Sequence, residues 1–375
     1  MSDIEVQAVA TKQQKKQFFQ LPWQLYRGDP NWVPPLRQNQ LELLNYKPHP
    51  FYDEAEIQTF LALRGGEPCG RVAAIINHAH NRHAKENRGF FGFFESVDDS
   101  QVAAALFDAA RQWCASRGMT AMRGPVNPSQ NYECGLLIDG FDSLPTFMMT
   151  YNPPFYARLV EGCGFSKSQE MYAYWGNVDM LQHLDKKLQF IIDESKRRFN
   201  FQLRNLDRSR FREDVRKFLD VFNCSFVGSW GFVPMSEAEI EHASVGLRQL
   251  IVPELTATAE VDGKMVGAVF GLLDYNPRIK KIDGRLFPFG FIRLLWNRRA
   301  IPRVRLVSTN VIPEYQKWGL GLVLLNKLLP DALAYGLKEA EFSWVMESNH
   351  LSKATLERGG AKRVKTWRIY DSVIA

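Results

Sequence analysis

The sequence predicts an α/β protein built from two tandem copies of one domain, each a mixed central sheet flanked by helices. The first observation is an internal repeat, because Trp32–Pro34 (WVP) returns as Trp230–Pro234 (WGFVP). The second is that a hairpin pattern follows each copy of this motif. In both hairpins apolar and polar residues alternate around a two-residue turn, GG at residues 65–66 and DG at residues 262–263. The turns lie 197 residues apart (262 − 65), so a whole domain has been duplicated.

Each copy then predicts the same order of elements: helix, hairpin, strand, amphipathic helix, buried strand, short helix and closing strand. In the first copy the elements before the closing strand are predicted at Leu36–Leu44, Glu56–Ile76, Gly89–Glu95, Ser100–Arg117, Met119–Arg123 and Pro154–Gly162. In the second copy they are predicted at Ser236–Leu250, Glu254–Leu273, Arg303–Ile312, Gly319–Gly336, Glu341–Met346 and Leu351–Arg358. The predicted domains are residues 1–178 and 190–375, joined by a linker near residues 176–200.

Length and composition agree with this organisation. A chain of 375 residues is too long for one ordinary core, and a hydrophobic fraction of 45% excludes a disordered chain. The polar N-terminus does not resemble a signal peptide, and no apolar run reaches the ~18 residues of a membrane span, so a cytoplasmic protein is expected. The five cysteines form no CxxC pair, and HAHNRH at residues 78–83 is interpreted as a solvated loop, so no metal site is predicted.

Charge is unevenly distributed along the chain. Residues 1–180 contain 16 Lys+Arg and 19 Asp+Glu (−3), whereas residues 181–375 contain 31 and 22 (+9). A basic half suggests a polyanionic partner, which is a nucleic acid, an anionic membrane or a phosphate-rich cofactor. Composition alone does not choose among these three.

The segment VIPEYQKWGLG, residues 311–321, has the features of a phosphate-binding loop. Gly319 and Gly321 stand at the start of an apolar helix, where glycine allows a tight turn and a close approach of ligand to backbone. Several N–H groups then point at one spot, and the positive end of the helix reinforces them. Lys317 adds charge, and the Gln316 amide is predicted to donate a hydrogen bond.

This pattern, Val311-x-Pro313-x-x-Gln316-x-x-Gly319-x-Gly321, resembles motif A of the GNAT acyltransferases. Asn349 followed by Gly360-Ala361 is similar to a second family spacing, with Ala in place of Phe. The order of elements resembles the family twice, in a plan similar to N-myristoyltransferase and mycothiol synthase. The resemblance implies acyl transfer from acetyl-CoA or another acyl-CoA to an amine. The implied cofactor-binding residues are Val311, Ile312, Gln316, Lys317, Trp318, Gly319, Leu320, Gly321 and Asn349.

The resemblance also implies a mechanism of direct attack by the amine. The Val311 or Ile312 N–H is expected to hold the thioester carbonyl. Glu347 is the leading candidate for the general base, with an ordinary surface Glu as the alternative. Asn349 is predicted to meet the pantetheine or to order the strand splay, with a plain turn residue as the alternative. Leu356 stands where many family members have a proton-donating Tyr, which leaves open a non-catalytic protein that senses acyl-CoA or acts as a scaffold.

The first copy lacks the glycine loop. Asp98 and Asp99 occupy the equivalent junction, where carboxylates would repel a pyrophosphate, and Ser100 is interpreted as the helix N-cap. We therefore predict a degenerate N-terminal copy and an active C-terminal one.

Two insertions distinguish the copies. The first, Gly124–Pro154, is rich in turn residues and is predicted either to shape the acceptor pocket or to cap the degenerate copy. Its candidate substrate-binding residues are Asn127, Ser129, Asn131, Tyr132 and Glu133. The second, residues 278–303, has basic flanks around LFPFGFIRLLW, which favours peripheral contact with a membrane or a lipid-like substrate over nucleic acid; a folded-back loop is the alternative. The expected acceptor is a small-molecule or lipid-like amine.

Overall fold

The computed structural model describes residues 3–178, 180 and 186–374. The first half forms β1 (Ile4–Ala8), α1 (Lys12–Leu25), α2 (Arg37–Leu43), β2 (Ala55–Arg64), β3 (Glu67–Asn77), α3 (His78–Ala84), β4 (Arg88–Ser96), α4 (Ser100–Ala115), β5 (Ala121–Gly124), β6 (Val126–Asn127), β7 (Glu133–Cys134), β8 (Leu136–Asp139), α5 (Tyr156–Gly162) and β9 (Ser166–Asn177). The second half forms α6 (Lys186–Arg198), β10 (Gln202–Arg204), α7 (Phe211–Ser225), α8 (Glu237–Leu250), β11 (Thr256–Val261), β12 (Lys264–Leu273), α9 (Asn276–Lys281), α10 (Gly290–Leu295), β13 (Arg303–Val311), α11 (Pro313–Gln316), α12 (Leu320–Tyr335), β14 (Glu339–Met346), α13 (His350–Arg358) and β15 (Lys362–Val373). The duplicated α/β plan predicted from the sequence is confirmed.

The chain forms two compact units. Unit 1 comprises Met1–Glu170, Asn276–Phe291 and Lys365–Ala375, and unit 2 comprises Met171–Tyr275 and Ile292–Val364. These units differ from the predicted domains 1–178 and 190–375, because β9 enters unit 2 at Met171 and β15 enters unit 1 at Lys365. The sequence halves therefore describe the duplication and not the compact units.

The sheet of unit 1 has the order β1-β2-β3-β4-β5-β15, in which only the β4–β5 pair is parallel. The sheet of unit 2 has the order β9-β14-β13-β12-β11-β10, in which only the β13–β14 pair is parallel. Tyr370 of β15 pairs with Gly124 in unit 1, and Tyr174 of β9 pairs with Phe342 in unit 2. Each sheet is thus completed by the strand that closes the other copy.

Local signals in the sequence explain the hairpins. Residues 65–66 have φ angles of +59° and +83°, and residues 262–263 have +50° and +75°, as a two-residue turn with two positive φ angles requires. One prediction at a helix start is wrong, because the N-cap of α4 is Asp99 and not Ser100. The Asp99 carboxylate accepts the N–H groups of Gln101 at 2.8 Å and Val102 at 3.4 Å.

Helices cover both faces of each sheet. In unit 2 the ring of Phe218 on α7 lies 5.2 Å from that of Phe270 on one face. On the other face α12 approaches β12 so closely that a Cβ on Gly267 would lie 3.0 Å from a Leu320 methyl group. Among the helices that the structure describes, none is long and apolar enough to cross a bilayer.

Candidate functional site

β13 and β14 separate in the middle of the unit 2 sheet. They are paired only from Arg303↔Glu339 to Leu306↔Phe342. Beyond this point β13 continues along β12 as far as Val311, while β14 continues along β9. Beyond the paired residues, the edge of β13 that faces β14 and the edge of β14 that faces β13 are not paired with any described strand. We call this space, bordered by residues 307–311 and 343–346, the β13–β14 opening.

Backbone N–H groups of β13 point into this opening. The Ile312 N–H is donated to the Val266 carbonyl on β12 at 3.0 Å. Because N–H directions alternate along an antiparallel strand, the N–H groups of Thr309 and Val311 point away from β12 and toward the opening. The expectation that Ile312 holds a substrate carbonyl is therefore wrong, since its N–H already has a partner. Thr309, which sequence reasoning missed, joins Val311 as a donor.

The turn into α12 presents further donors. Gly319 is the N-cap of α12, with a φ angle of +77° that favours glycine. A Cβ at Gly319 would also lie 2.3 Å from the Ile191 Cγ2 atom of α6. The described residues offer no acceptor to the N–H groups of Gly319, Leu320 and Gly321. Three unpaired donors at the positive end of a 16-residue helix fit a pyrophosphate.

Gln316 has a structural role in this loop. Its side-chain amide donates to the Ser225 carbonyl at 3.0 Å and to the Val311 carbonyl at 2.9 Å. Both amide hydrogens are thus engaged, and the predicted hydrogen bond from this side chain to a ligand is replaced by one that fixes the end of β13. The amide connects β13 to the C-terminal end of α7.

Aromatic and basic side chains lie beside the loop. The Arg198 guanidinium lies 3.7 Å from the centre of the Trp318 ring, and the Phe199 ring contacts both Trp318 and Tyr315. Trp318 is half-exposed, and Lys317 is exposed. Together they place a cationic and aromatic surface next to the free N–H groups.

A buried polar network lies where β13 and β14 begin to separate. The Arg305 Nε donates to Ser343 Oγ at 2.9 Å, and the Ser343 hydroxyl donates to Glu341 Oε1 at 2.9 Å. All three side chains are buried, at 2%, 3% and 4% exposure. Next along β14, the indole N–H of Trp344 is shielded from solvent without a hydrogen-bond partner in the described residues. The sequence analysis did not single out the Glu341 carboxylate of this network or the unpaired indole N–H of Trp344 beside it.

The predicted catalytic residues lie further along the chain. Glu347 is in the turn after β14 and is half-buried. The Asn349 side chain caps α13 by accepting the Ser352 N–H at 3.0 Å, which favours the alternative of a turn residue. Leu356 is buried in the position of the family Tyr.

The first copy contains the same opening, but it is filled. β4 and β5 pair only from Arg88↔Ala121 to Phe90↔Arg123, and β6 then occupies the space between them. The Asn127 side chain accepts the Phe93 N–H at 2.7 Å, and a Cβ on Gly92 would lie 1.7 Å from the Val126 carbonyl oxygen. The inserted segment therefore lies where a ligand would lie in the other copy.

In the first copy, the Tyr156 hydroxyl and the Asp99 carboxylate accept hydrogen bonds from backbone N–H groups whose equivalents in the second copy point at the opening or the helix start. Ser96 is opposite Gly70, as Val311 is opposite Gly267, and its N–H is donated to the Tyr156 hydroxyl at 2.8 Å. The Asp99 carboxylate takes the free N–H groups of α4 and pairs with Arg64. Hydrogen bonds from Arg64 and from the Gln101 N–H hold the pKa of Asp99 below its usual range.

The predicted acceptor residues all lie in unit 1. Asn127 belongs to the segment that fills the opening, which agrees with the capping alternative. Ser129 is buried and accepts the Asn131 N–H at 3.2 Å, while Tyr132 packs edge-on against His49 and Phe51. Glu133 pairs with Asn127 in the small β6–β7 sheet. A role for these residues toward an acceptor stays a prediction.

The duplicated frame and the donor-lined opening define a protein with a tandem GNAT fold. The solved tandem GNAT protein from the clavulanic acid biosynthesis pathway shares this fold, with a TM-score of 0.58 and 13% identity over 100% of this chain and 99% of that one. No protein-family model matches the chain. The bacterial ceramide synthase of Caulobacter vibrioides is 33% identical over 383 residues, covering 100% of this chain and 98% of that protein. Protein YghO of Escherichia coli is 34% identical, covering 98% and 95%. The chain belongs to the family of these two proteins.

Proposed function

We propose that the chain is an N-acyltransferase that moves a fatty acyl group from acyl-CoA to a long-chain amine in its C-terminal copy. The observation that carries the proposal is the β13–β14 opening, bordered by the Thr309 and Val311 N–H groups and ending at the unpaired N–H groups of residues 319–321. The relative from Caulobacter vibrioides is named a ceramide synthase, and a ceramide is the amide of a fatty acid with a long-chain amino alcohol. That chemistry matches the lipid-like amine expected from the sequence.

The two copies differ at the opening and at the backbone N–H groups that would bind acyl-CoA, and this difference supports the C-terminal copy as the active one. In the first copy β6 fills the opening, Tyr156 takes the Ser96 N–H and Asp99 places a carboxylate at the helix start. In the second copy the corresponding space and N–H groups have no such partners among the described residues. A pyrophosphate is attracted by the second arrangement and repelled by the first.

The residues of the second copy have separate tasks in the proposed reaction. The N–H groups of residues 319–321 hold the pyrophosphate, and those of Thr309 and Val311 hold the pantetheine and the thioester carbonyl. A preorganised donor aimed at the developing oxyanion lowers the barrier by about 3 kcal/mol. The amine nitrogen forms the new C–N bond and gives a tetrahedral oxyanion. When the oxyanion collapses, the C–S bond breaks and coenzyme A leaves as a thiolate, which takes a proton from solvent to become the free thiol.

The attacking amine must lose a proton, and Glu341 is the group that we propose to accept it. Its carboxylate lies on β14 at the closed end of the opening, hydrogen-bonded through Ser343 toward Arg305. Glu347, the base predicted from the sequence, lies in the turn after β14 and remains the second candidate. A general base in this position contributes about 10²–10⁴-fold to the rate.

The test is a turnover assay with purified protein, a long-chain acyl-CoA and a long-chain amino alcohol. We expect an amide product by mass spectrometry and one free thiol for each amide formed. Gly321→Glu should abolish both, because its side chain adds negative charge at the helix start. Binding of acyl-CoA without thiol release would instead favour the alternative of an acyl-CoA sensor, for which the buried Leu356 is the supporting observation.

A further inference from the structure

The segment 287–296 exposes a run of large apolar side chains. Their exposed fractions are 73% for Phe287, 69% for Phe289, 43% for Phe291, 46% for Ile292 and 75% for Trp296. Single exposed apolar residues are ordinary in soluble proteins, but five within ten residues mark an interaction surface. We call these five residues the apolar tip.

The base of this segment is firmly held in unit 1. The Trp23 indole donates to the Asp283 carboxylate at 2.6 Å, and the Arg37 guanidinium pairs with the same carboxylate. The Gly284 carbonyl accepts the Arg37 N–H at 3.0 Å, and a Cβ on Gly284 would lie 2.1 Å from the Pro35 carbonyl oxygen. The apolar tip is therefore exposed on an anchored segment.

The charge around the tip is almost entirely positive. Residues 278–303 contain eight Lys or Arg and one acid, Asp283, which is already paired with Arg37. Arg285, Arg293 and Arg299 are exposed in the same stretch of sequence as the aromatic residues. Aromatic rings suit the boundary between head groups and acyl chains, and the arginines suit lipid phosphates.

We propose that the apolar tip docks the protein on an anionic membrane surface. A second copy of the chain fits less well, because a symmetric contact would bring two arginine clusters together. The inference goes beyond the proposed reaction, although a lipid-like amine would be reached from such a surface. Vesicle binding is measured without turnover, so the two proposals fail separately.

The experiment is sedimentation of the full chain with phosphatidylcholine vesicles, with and without phosphatidylglycerol. We expect binding only to the vesicles that contain phosphatidylglycerol, and release by salt. The double variant Phe289→Ser/Trp296→Ser should bind roughly a hundredfold more weakly with an unchanged Tm, because both rings are exposed. The matched control Val227→Ser/Val245→Ser removes side chains exposed at 66% and 67% and should bind like wild type.

Charge is tested with Arg293→Glu/Arg299→Glu, which should also weaken binding to anionic vesicles. Absence of wild-type binding at low salt, or equal binding by the Phe289/Trp296 variant, would overturn the proposal. The proposal would also be overturned if the Phe289/Trp296 variant had a lower Tm and the Arg293/Arg299 variant bound vesicles like wild type, because the aromatic residues would then serve stability and the charge would not matter. A dimer in light scattering that the Phe289/Trp296 variant dissociates would assign the tip to a second copy.

Discussion

Ser96 and Val311 stand at the same position in the two copies, and their backbone N–H groups face different surroundings. Each lies opposite a glycine on the neighbouring strand, Gly70 for Ser96 and Gly267 for Val311. The Ser96 N–H is donated to the Tyr156 hydroxyl at 2.8 Å, whereas the Val311 N–H points into the β13–β14 opening. A donor that already has a partner cannot polarise a substrate carbonyl, so the copies have diverged at the atom on which the proposed reaction depends.

Tyr156→Phe should destabilise the protein without creating a second coenzyme A site. The variant removes the hydroxyl's hydrogen bond to the Glu95 carboxylate and leaves the buried Ser96 N–H without a partner, and the unpaired N–H alone costs about 1–3 kcal/mol in the free energy of unfolding. β6 and Asp99 still obstruct the first copy, so the number of bound coenzyme A molecules should not rise. Urea unfolding and calorimetric titration measure the two effects.

Tyr151→Phe is the matched control, because its hydroxyl donates to Asp29 at 3.0 Å in a half-buried place. Tyr151→Phe should lower the free energy of unfolding by less than Tyr156→Phe does. Equal stability of Tyr156→Phe and wild type would show that the hydroxyl does not hold the Ser96 N–H.

Glu341→Gln should lower kcat by about 10²–10⁴-fold with little change in affinity for acyl-CoA. The amide keeps an acceptor for the Ser343 hydroxyl but cannot take a proton from the amine. Glu347→Gln is the paired variant and should retain most of the activity. A larger fall in Glu347→Gln would return the base to the residue predicted from the sequence.

Gly319→Ala should lower the affinity for coenzyme A by about tenfold or more, a loss of ~1.4 kcal/mol. The new Cβ meets Ile191 and moves the N–H groups of residues 319–321. Gly336→Ala places backbone strain of the same kind at the other end of α12, since the φ angles are +77° at Gly319 and +99° at Gly336, but its Cβ would contact none of the described residues. That control should lose stability and keep its affinity. If Gly319→Ala and Gly336→Ala bind coenzyme A with equal affinity, Gly319 is not part of the coenzyme A site.

Local patterns predicted the hairpins, the glycine loop and the helices that follow them, because alternation, turn residues and positive φ angles are decided over a few neighbours. The interpretation of residues 78–83 as a solvated loop is wrong, since they form α3 and His80 is buried against Glu86. The exchange of closing strands was not predictable in this way. β9 pairs with β14, and β15 pairs with β5, as a result of which sheet edge each strand finds in the folded chain. Both strands follow a short helix in equivalent sequence positions, so the sequence pattern alone places each in its own copy.

The site was predicted only in part for a similar reason. The donors at residues 319–321 follow from a local motif, whereas the contact between Arg305 and Ser343 depends on the parallel register of two strands. β13 contains no Asp or Glu, and Glu341, which lies opposite Arg305 of β13, is supplied by β14. The Gln316 side chain braces the backbone where a bond to a ligand was predicted, and Asn349 caps α13 in agreement with its alternative of a turn residue. A polar side chain beside a ligand loop suits either task, so the sequence alone does not separate them.

The charge of Asp99 makes the stability of the folded chain depend on pH. Hydrogen bonds from Arg64 and from the Gln101 N–H depress its pKa below the ordinary value of 3.8. A depressed carboxyl pKa stabilises the folded state above the unfolded pKa, and this stabilisation is lost as the pH falls through the folded value. Wild type should therefore be more stable than Asp99→Asn at neutral pH, and the difference in unfolding midpoint should close as the pH falls below 3.8. Because Asn is also a good N-cap, the variant keeps the cap and removes the charge. Arg64→Gln should show the same narrowing, whereas a difference that stays constant with pH would assign the effect to the geometry of the cap.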